Sequence, residues 1–245
     1  MSRKQLQSLH VRALMLNRLA FLLFALVVVS SPAAAHPTEV TVPAPGSLRP
    51  CTPQDPTSSA LEQSMAKFGE YLGCFLSEEK VVLRGSHRTA AQPLEYAYAV
   101  RVPSGPYSPS DVEDLFLKVS DQWKNYKPLD KRAKADYDKK INDLIGSAFP
   151  TAASGVAVSI QPPVLVSIRR IGTDAYAVVS VRQRKLTLPD DVIVSTAVDA
   201  SAIALKGDSM LRLSLVREMR APVDVSNVED AITEWIRAVK AAESK

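Results

Sequence analysis

Hydrophobic and polar positions alternate over much of the second half of the chain, which is the pattern of β-strands with one buried face. Four such strands are predicted within residues 163–217, and glycine-containing turns at 172–174 and 207–208 indicate two hairpins. The second turn places small side chains opposite large ones on one face, namely Ala200, Ala202 and Ala204 opposite Leu215, Leu213 and Leu211. A helix is expected to cover this face, which makes the three leucines anchors of the core.

Apolar positions spaced by three and four residues predict helices on either side of these strands. The predicted helices are, in chain order, 57–76, a pair within 110–146, and 227–243. Ser110 with Glu113, and Ser226 with Glu229, have the spacing of a capping box, which predicts that two of the helices begin there.

Trp123 and Trp235 lie on the apolar stripes of two of these helices, and both are expected to anchor the core. Two further strands are predicted within residues 79–102. The resulting order of elements predicts a single α+β domain over residues 57–245. Its open antiparallel sheet of about six strands would be covered by helices in an α/β/α sandwich-like arrangement.

The element order from Glu79 to Ser244 resembles the PsbP/MOG1-like fold, which is also found in small exported bacterial proteins. The resemblance rests on the long strands around ALKGDSMLRLSL and on the closing helix SNVEDAITEWIRAV. It implies an interaction or assembly factor rather than an enzyme. A shared fold does not by itself assign a function, and no functional motif comes with this one.

The most apolar run of the chain, Leu19–Val29, is eleven residues long, whereas a membrane-spanning helix needs about 20. Four basic residues and no acidic one precede this run, and a Pro-Ala-Ala-Ala segment follows it. This pattern predicts a cleaved signal peptide over residues 1–35, with cleavage between Ala35 and His36, whether translation starts at Met1 or at Met15. The mature protein is therefore expected in the periplasm or outside the cell, without a membrane span.

Removal of the signal peptide changes the charge of the protein. The full chain has 30 Lys and Arg against 26 Asp and Glu, and all four charged residues of the signal peptide are basic. The mature chain therefore has a formal net charge of zero. Since binding to nucleic acid depends on basic groups that neutralise phosphates, a nucleic-acid partner is not expected.

Cys51 and Cys74 are predicted to form a disulfide, because thiols outside the cytoplasm tend to be oxidised. Residues 36–56 are rich in proline and are predicted to be a flexible lead-in. The predicted helix rises roughly 24 Å from Ser58 to Cys74. The seven residues from Cys51 to Ser58 can span at most about 24 Å when extended, so they can reach back along the helix and bring Cys51 to Cys74. There is no Cys-x-x-Cys motif, so a thiol-redox enzyme is not expected.

Candidate catalytic and metal-binding residues are few. After cleavage, His36 would carry the terminal amine, and together with His87 it looks like the histidine brace of copper monooxygenases, although no spacing brings the two together. Ser-x-x-Lys at 64–67 and at 77–80 resembles the nucleophile motif of penicillin-recognising enzymes, but its companions Ser-Asp-Asn and Lys-Thr-Gly are missing from the sequence. We therefore expect no catalytic residue, metal or cofactor.

Five basic residues lie between positions 169 and 185, but hairpin geometry separates them. Arg170 is predicted beside the 172–174 turn, whereas Arg184 is predicted to pair near Gln161 or Pro162, roughly 23 Å away. A single anion-binding patch is therefore not expected.

Three hypotheses for function remain open. The leading one is a non-catalytic accessory, assembly or inhibitor-type factor of the cell envelope that binds a protein partner. Its candidate surfaces are the region of Trp123, Tyr126 and Tyr137, and an exposed sheet face carrying Ser201, Arg212 and Ser214. The second is a binding module for a small apolar or lipid-like ligand, held beside the alanines at 200–204. The third is a copper-dependent or hydrolytic enzyme.

Overall fold

The two longest strands of the chain, β8 (Ala175–Leu188) and β9 (Asp191–Lys206), pair with each other along their whole length and form the centre of the fold. The computed structural model describes residues 40–245 except 56–57, 59–61, 63–64, 66–67, 86–88, 104, 127–129, 149–156, 189–190 and 243–245. The described residues belong to one compact unit.

Among the described residues, the main sheet has eight antiparallel strands rather than the six predicted. Its strands are, in order across the sheet, β1 (Arg49–Pro50), β2 (Glu70–Leu76), β5 (Glu95–Arg101), β10 (Ser209–Glu218), β9 and β8, with β6 (Ala157–Ile160) and β7 (Val164–Arg170) both paired to β8. A separate hairpin consists of β3 (Lys80–Arg84) and β4 (Thr89–Pro93). The region 79–102 thus contains three strands, not two.

The hairpin of β9 and β10 has the predicted register. Its strands align the three alanines with the three leucines in the pairs Ala204 with Leu211, Ala202 with Leu213 and Ala200 with Leu215. Gly207 in the turn has φ +61°, a left-handed conformation that glycine adopts without steric cost. The six paired side chains are all buried, with exposed fractions of 1% or less.

Outside the sheet, the described residues include the helices α1 (Pro109–Lys124), α2 (Lys131–Ala148) and α3 (Val223–Ala241). Helix α1 begins one residue before the predicted cap, because Pro109, with its fixed φ, occupies the first helical position. The cap is Ser108, whose backbone N–H donates to the Asp111 carboxylate at 2.8 Å, so the predicted capping box of Ser110 and Glu113 is wrong.

Helix α3 begins four residues before the predicted start at 227. The Asp224 carboxylate accepts hydrogen bonds from the backbone N–H groups of Arg220 and Ala221, at 2.8 and 2.9 Å, and so holds the chain that leads into the helix. Ser226 lies inside the helix and donates its hydroxyl to the Val223 carbonyl. The predicted capping box at Ser226 is therefore wrong.

The predicted helix 57–76 is wrong over its last seven residues, which form strand β2. The described residues Ser58, Glu62 and Met65 are helical, but from Glu70 the chain pairs with β5. This pairing satisfies the backbone hydrogen bonds and buries Phe75, together with Cys74 and Leu76, and these long-range gains outweigh the local helical spacing.

The core lies between one face of the main sheet and α3, and we call this the helix face of the sheet. It contains the alanines and leucines of the β9–β10 hairpin, and from α3 it contains Val228, Ile232, Trp235, Ile236 and Val239. Trp235 is 1% exposed and packs edge-on against Phe75, with ring centroids 5.8 Å apart. Trp123 is only half-buried, near the end of α1, so its expected role as a core anchor is wrong.

The proline-rich lead-in is docked on the core over its described part, residues 40–55, rather than flexible. The indole N–H of Trp235 donates to the Pro43 carbonyl at 2.7 Å, and the Lys206 ammonium donates to the Thr41 carbonyl at 3.0 Å. Leu48 is buried in the same cluster as Trp235. Side chains of β9 and α3 thus bind the backbone of the lead-in.

Within the described part of the chain, no helix is both long enough and apolar enough to cross a membrane.

Candidate functional site

The face of the main sheet opposite α3 carries a layer of charged and hydroxyl side chains, which we call the polar layer. Alternation along the strands places its members on one side of the sheet: Tyr96, Tyr176, Ser180, Arg182, Arg184, Asp199, Arg212, Ser214 and Glu218. Most of them are buried, since Asp199, Arg212 and Glu218 are 9%, 8% and 4% exposed. A charged layer of this kind inside a domain needs internal partners.

Two ion pairs supply partners to much of this layer. The Arg182 Nε donates to Asp199 Oδ2 at 2.5 Å, and Arg184 pairs with Glu218. Glu218 also accepts a hydrogen bond from the Gln92 side chain at 2.6 Å, which ties the β3–β4 hairpin to the sheet. Both carboxylates of the layer are therefore satisfied.

Burial dominates the electrostatics of the layer. It raises the pKa of the Asp199 carboxyl, and the adjacent Arg182 guanidinium opposes that shift. Burial is the largest single effect on Arg182 and acts to lower its pKa, but the charge of Asp199, the hydrogen bond to Asp199 and the nearby phenols of Tyr96 and Tyr137 together outweigh burial, so the Arg182 pKa is raised. The pKa of Tyr96 is raised because its phenol is buried. These groups therefore form a paired, enclosed network rather than a solvated charged surface.

Two hydroxyls of the polar layer have no hydrogen-bond partner among the described residues: Tyr176 Oη and Ser214 Oγ. Tyr176 is 1% exposed and Ser214 is 3% exposed. Burial raises the pKa of the Tyr176 phenol, and the positive charge of Arg212, which lies in the same row of the sheet, acts to lower it. Phe116 of α1 packs edge-on against the Tyr176 ring, with centroids 5.8 Å apart, so α1 covers this part of the layer.

The basic residues between 169 and 185 do not form a patch. Arg169 pairs with Glu229 of α3, while Arg170 pairs with Glu113 of α1 and stacks 4.3 Å from the centroid of the Phe116 ring. Arg182 and Arg184 have the partners given above. Arg184 pairs in register with Ile160, next to Gln161, as the hairpin geometry predicted.

The candidate enzyme residues are not brought together in the described part of the chain. Cleavage between Ala35 and His36, and the copper hypothesis with His87, fall outside the described residues, as do the serine and lysine of the motif at 64–67. In the motif at 77–80, the Ser77 hydroxyl donates to the Glu79 carbonyl at 2.8 Å. No group of three or more His, Cys, Asp or Glu side chains within the described residues could hold a metal ion.

Neither of the two predicted contact surfaces is exposed as expected. Arg212 and Ser214 are buried and Ser201 is half-buried, so that sheet face is not open to solvent. Tyr137 is 6% exposed, and burial raises its pKa to about 12. Trp123 packs against Tyr126 with ring centroids 5.4 Å apart, and both side chains are half-buried.

The space proposed for an apolar ligand is occupied by α3. Ala200, Ala202 and Ala204 are at most 1% exposed and belong to the same packed cluster as Trp235 and Ile232. The small alanine side chains thus make room for the large side chains of α3.

Exposed valines occupy the helix face outside the area that α3 covers, and we call Val164, Val192 and Val194 the valine patch. Their exposed fractions are 67%, 40% and 49%. Val192 and Val194 point to the same side of β9 as Ala200, and Val164 points to that side as the register partner of Val181, four residues and roughly 13 Å along β8 from Lys185, the partner of Val194. Lys185, the exposed register partner of Val194, lies beside Val194.

The polar layer was not predicted from the sequence, although one signal was available. Asp199 interrupts the apolar strand sequence STAVDASAIAL, and a carboxylate in the middle of a central strand indicates a buried partner. The chain matches no protein-family model, and neither a similar curated protein nor a similar solved structure was found.

Proposed function

We propose that this chain is an exported, non-catalytic accessory, assembly or inhibitor-type factor of the cell envelope, which acts by binding another protein through the valine patch. The observation that carries the proposal is the exposure of Val164, Val192 and Val194 on one face of the sheet. A sheet face that is left uncovered normally carries polar side chains. Large apolar side chains that share such a face are typical of protein contact sites.

The chemistry around the patch favours a particular kind of partner. Lys185 is exposed beside Val194, and the other side chains of this area on β8 and β9, such as Gln183 and Thr196, are uncharged. A partner that presents apolar side chains with a carboxylate at their rim would match this surface. A charged rim around an apolar centre contributes mainly to specificity and to the rate of association.

The Cys51–Cys74 disulfide supports the extracytoplasmic part of the proposal. It joins β1 to β2 with a Cα–Cα distance of 5.3 Å, within the range of ordinary disulfides. Stable disulfides of this kind occur mainly in oxidising compartments. The predicted signal peptide leads to the same compartment.

Site-specific photo-crosslinking tests the proposal in the cell that exports the protein. A benzophenone amino acid at position 194 is expected to give one discrete adduct with another envelope protein. The substitution V192K is expected to abolish that adduct by placing a second positive charge beside Lys185. Because Val192 is exposed, V192K should change the unfolding midpoint by no more than about 2 °C.

The matched control is the same benzophenone at Leu117, which is 53% exposed on α1, away from the patch. It should give no adduct of that mass. Identical adducts from both positions, an adduct that survives V192K, or an adduct only between two copies of this chain would each contradict the proposal.

A further inference from the structure

A second binding function, independent of the valine patch, is indicated by the two hydroxyls without partners in the polar layer. Tyr176 and Ser214 are nearly inaccessible to solvent, and neither hydroxyl forms a hydrogen bond within the described residues. Buried polar side chains in native proteins nearly always have a partner, and those that do not require an explanation. In the same layer, the Asp199 and Glu218 carboxylates are both bonded.

The two hydroxyls lie on neighbouring rows of the sheet. Tyr176, Ile203 and Arg212 form one row across β8, β9 and β10, and Val178, Ser201 and Ser214 form the next. Neighbouring strands are about 4.8 Å apart, so the Cα atoms of Tyr176 and Arg212 are about 10 Å apart. Side chains of the length of tyrosine and arginine can therefore converge above Ile203, next to Ser214.

The three groups share one kind of preferred ligand atom. A tyrosine hydroxyl and a serine hydroxyl can each donate one hydrogen bond, and a guanidinium carries only donors. Arg212 acts on the Tyr176 phenol electrostatically, so a positive charge already lies at this place. Donors grouped around a positive charge suit an oxygen anion, and hydrogen bonds to charged acceptors are the strong ones.

We propose that Tyr176, Ser214 and Arg212 bind the carboxylate of a small molecule beneath α1. The Tyr176 and Ser214 hydroxyls donate to its oxygens, and Arg212 supplies the opposite charge. Phe116 covers the Tyr176 ring, so α1 is the element that shifts to admit the ligand. The ligand is polar and lies on the opposite side of the sheet from the alanine face considered for an apolar ligand.

Thermal unfolding of the full chain at pH 7 tests this site with defined probes. Acetate, succinate and benzoate are compared with acetamide, succinamide and benzamide, which have similar shapes and no charge. At least one carboxylate is expected to raise the unfolding midpoint saturably below about 50 mM, while its amide does not. Y176F and S214A should each weaken that binding by about 10-fold to 100-fold.

A second measurement separates binding from folding. Since each hydroxyl lacks a partner, Y176F and S214A should be at least as stable as the wild type in the absence of any probe. Y107F is the matched control, because the Tyr107 hydroxyl already donates to the Pro103 carbonyl at 2.7 Å outside the layer. It should bind the carboxylate as the wild type does.

Three results would overturn the inference. One is the lack of a saturable shift with all three carboxylates, which would leave water as the only partner of the two hydroxyls. Another is equal stabilisation by an acid and its amide. The third is a loss of stability in both Y176F and S214A, which would mean that the hydroxyls are already bonded in the folded protein.

Discussion

At Gly69 the chain passes from the helical residues near Met65 into strand β2, with φ at +152°. A Cβ atom at this position would lie 2.1 Å from the backbone oxygen of Arg101 and 2.8 Å from a methyl group of Val100. Since the obstacle includes backbone of the paired strand β5, it cannot turn aside as a flexible side chain would. Glycine is therefore required here both by conformation and by space.

We expect Gly69→Ala to lower the free energy of unfolding by more than about 2 kcal/mol, because either the β2–β5 pairing or the backbone near Arg101 must shift. Denaturant titration measures this change. Gly73→Ala is the matched control, since Gly73 has φ +140° on the same strand but open space around its Cβ position. If the two variants lose stability equally, backbone conformation alone is responsible and the close approach is not.

Single residues also show how far sequence could lead to the candidate site. Asp199 in an apolar strand was a readable signal of buried charge, but its partner Arg182 is 17 residues away and appeared only as part of a basic run. Ser214 and Arg212 were assigned to an exposed face because alternation identifies the two sides of a strand without saying what covers each. Helix α1 covers that side in the folded structure, and the pattern of a single strand cannot show this.

Among the elements, the β9–β10 hairpin was predictable down to its residue pairs. Its register depends on a two-residue turn at Gly207 and on alternation close to that turn. Strand β2 was not predictable in this way, because its residues pair with β5 residues that lie 20 to 31 positions further along the chain. The apolar spacing of 61–75 also fits a helix. The local sequence pattern therefore predicted the correct element where the pairing strand is close in sequence, as in the β9–β10 hairpin, and the wrong element where it is distant, as in β2.

The disulfide is an instance of a correct pairing predicted from an incorrect element. Cys74 lies in a strand rather than a helix, and Cys51 lies next to it because the Cys51 N–H donates to the Cys74 carbonyl at 2.8 Å beside β1. The bond therefore joins the short edge strand β1 to the sheet. Without it, β1 has two paired residues to hold it.

We expect the double substitution C51S and C74S to lower the free energy of unfolding by about 3 kcal/mol, because the bond closes a loop with a sequence separation of 23. Denaturant titration of this variant should match that of the wild type under reducing conditions. The reference for the expected loss is the wild type with its disulfide intact, measured without reductant. An unchanged midpoint would mean that the β1–β2 pairing holds without the covalent bond.

On the scale of the whole molecule, the first described residues and the last helix depend on each other. The lead-in packs Val40, Val42 and Leu48 against the core, and Trp235 reaches it with a hydrogen bond to the Pro43 carbonyl. No local pattern in a proline-rich segment indicates such a contact, since Trp235 lies almost two hundred residues away from Pro43. The predicted order of elements placed α3 on the sheet correctly. The docking of the lead-in depends on contacts between residues far apart in sequence and is visible only in the folded structure.

This dependence predicts a specific loosening of the lead-in. Trp235→Phe keeps an aromatic ring in the core but removes the indole N–H, so the Pro43 carbonyl loses its partner. We expect the backbone order parameters of Val40, Thr41, Val42 and Ala44, measured by ¹⁵N relaxation of their amides, to fall from about 0.8 to below about 0.6. The free energy of unfolding should fall by about 1 to 3 kcal/mol, from the lost hydrogen bond and the reduced packing.

Phe75→Leu is the control for packing, since it alters the edge-on contact with Trp235 and leaves the indole N–H in place. It should cost stability while the order parameters of Val40, Thr41, Val42 and Ala44 stay near the wild-type values. Equal loosening in both variants would assign the docking of the lead-in to packing of the core as a whole. Loosening in Trp235→Phe alone would show that one hydrogen bond from the C-terminal helix holds the lead-in on the domain, because the two variants differ in that bond.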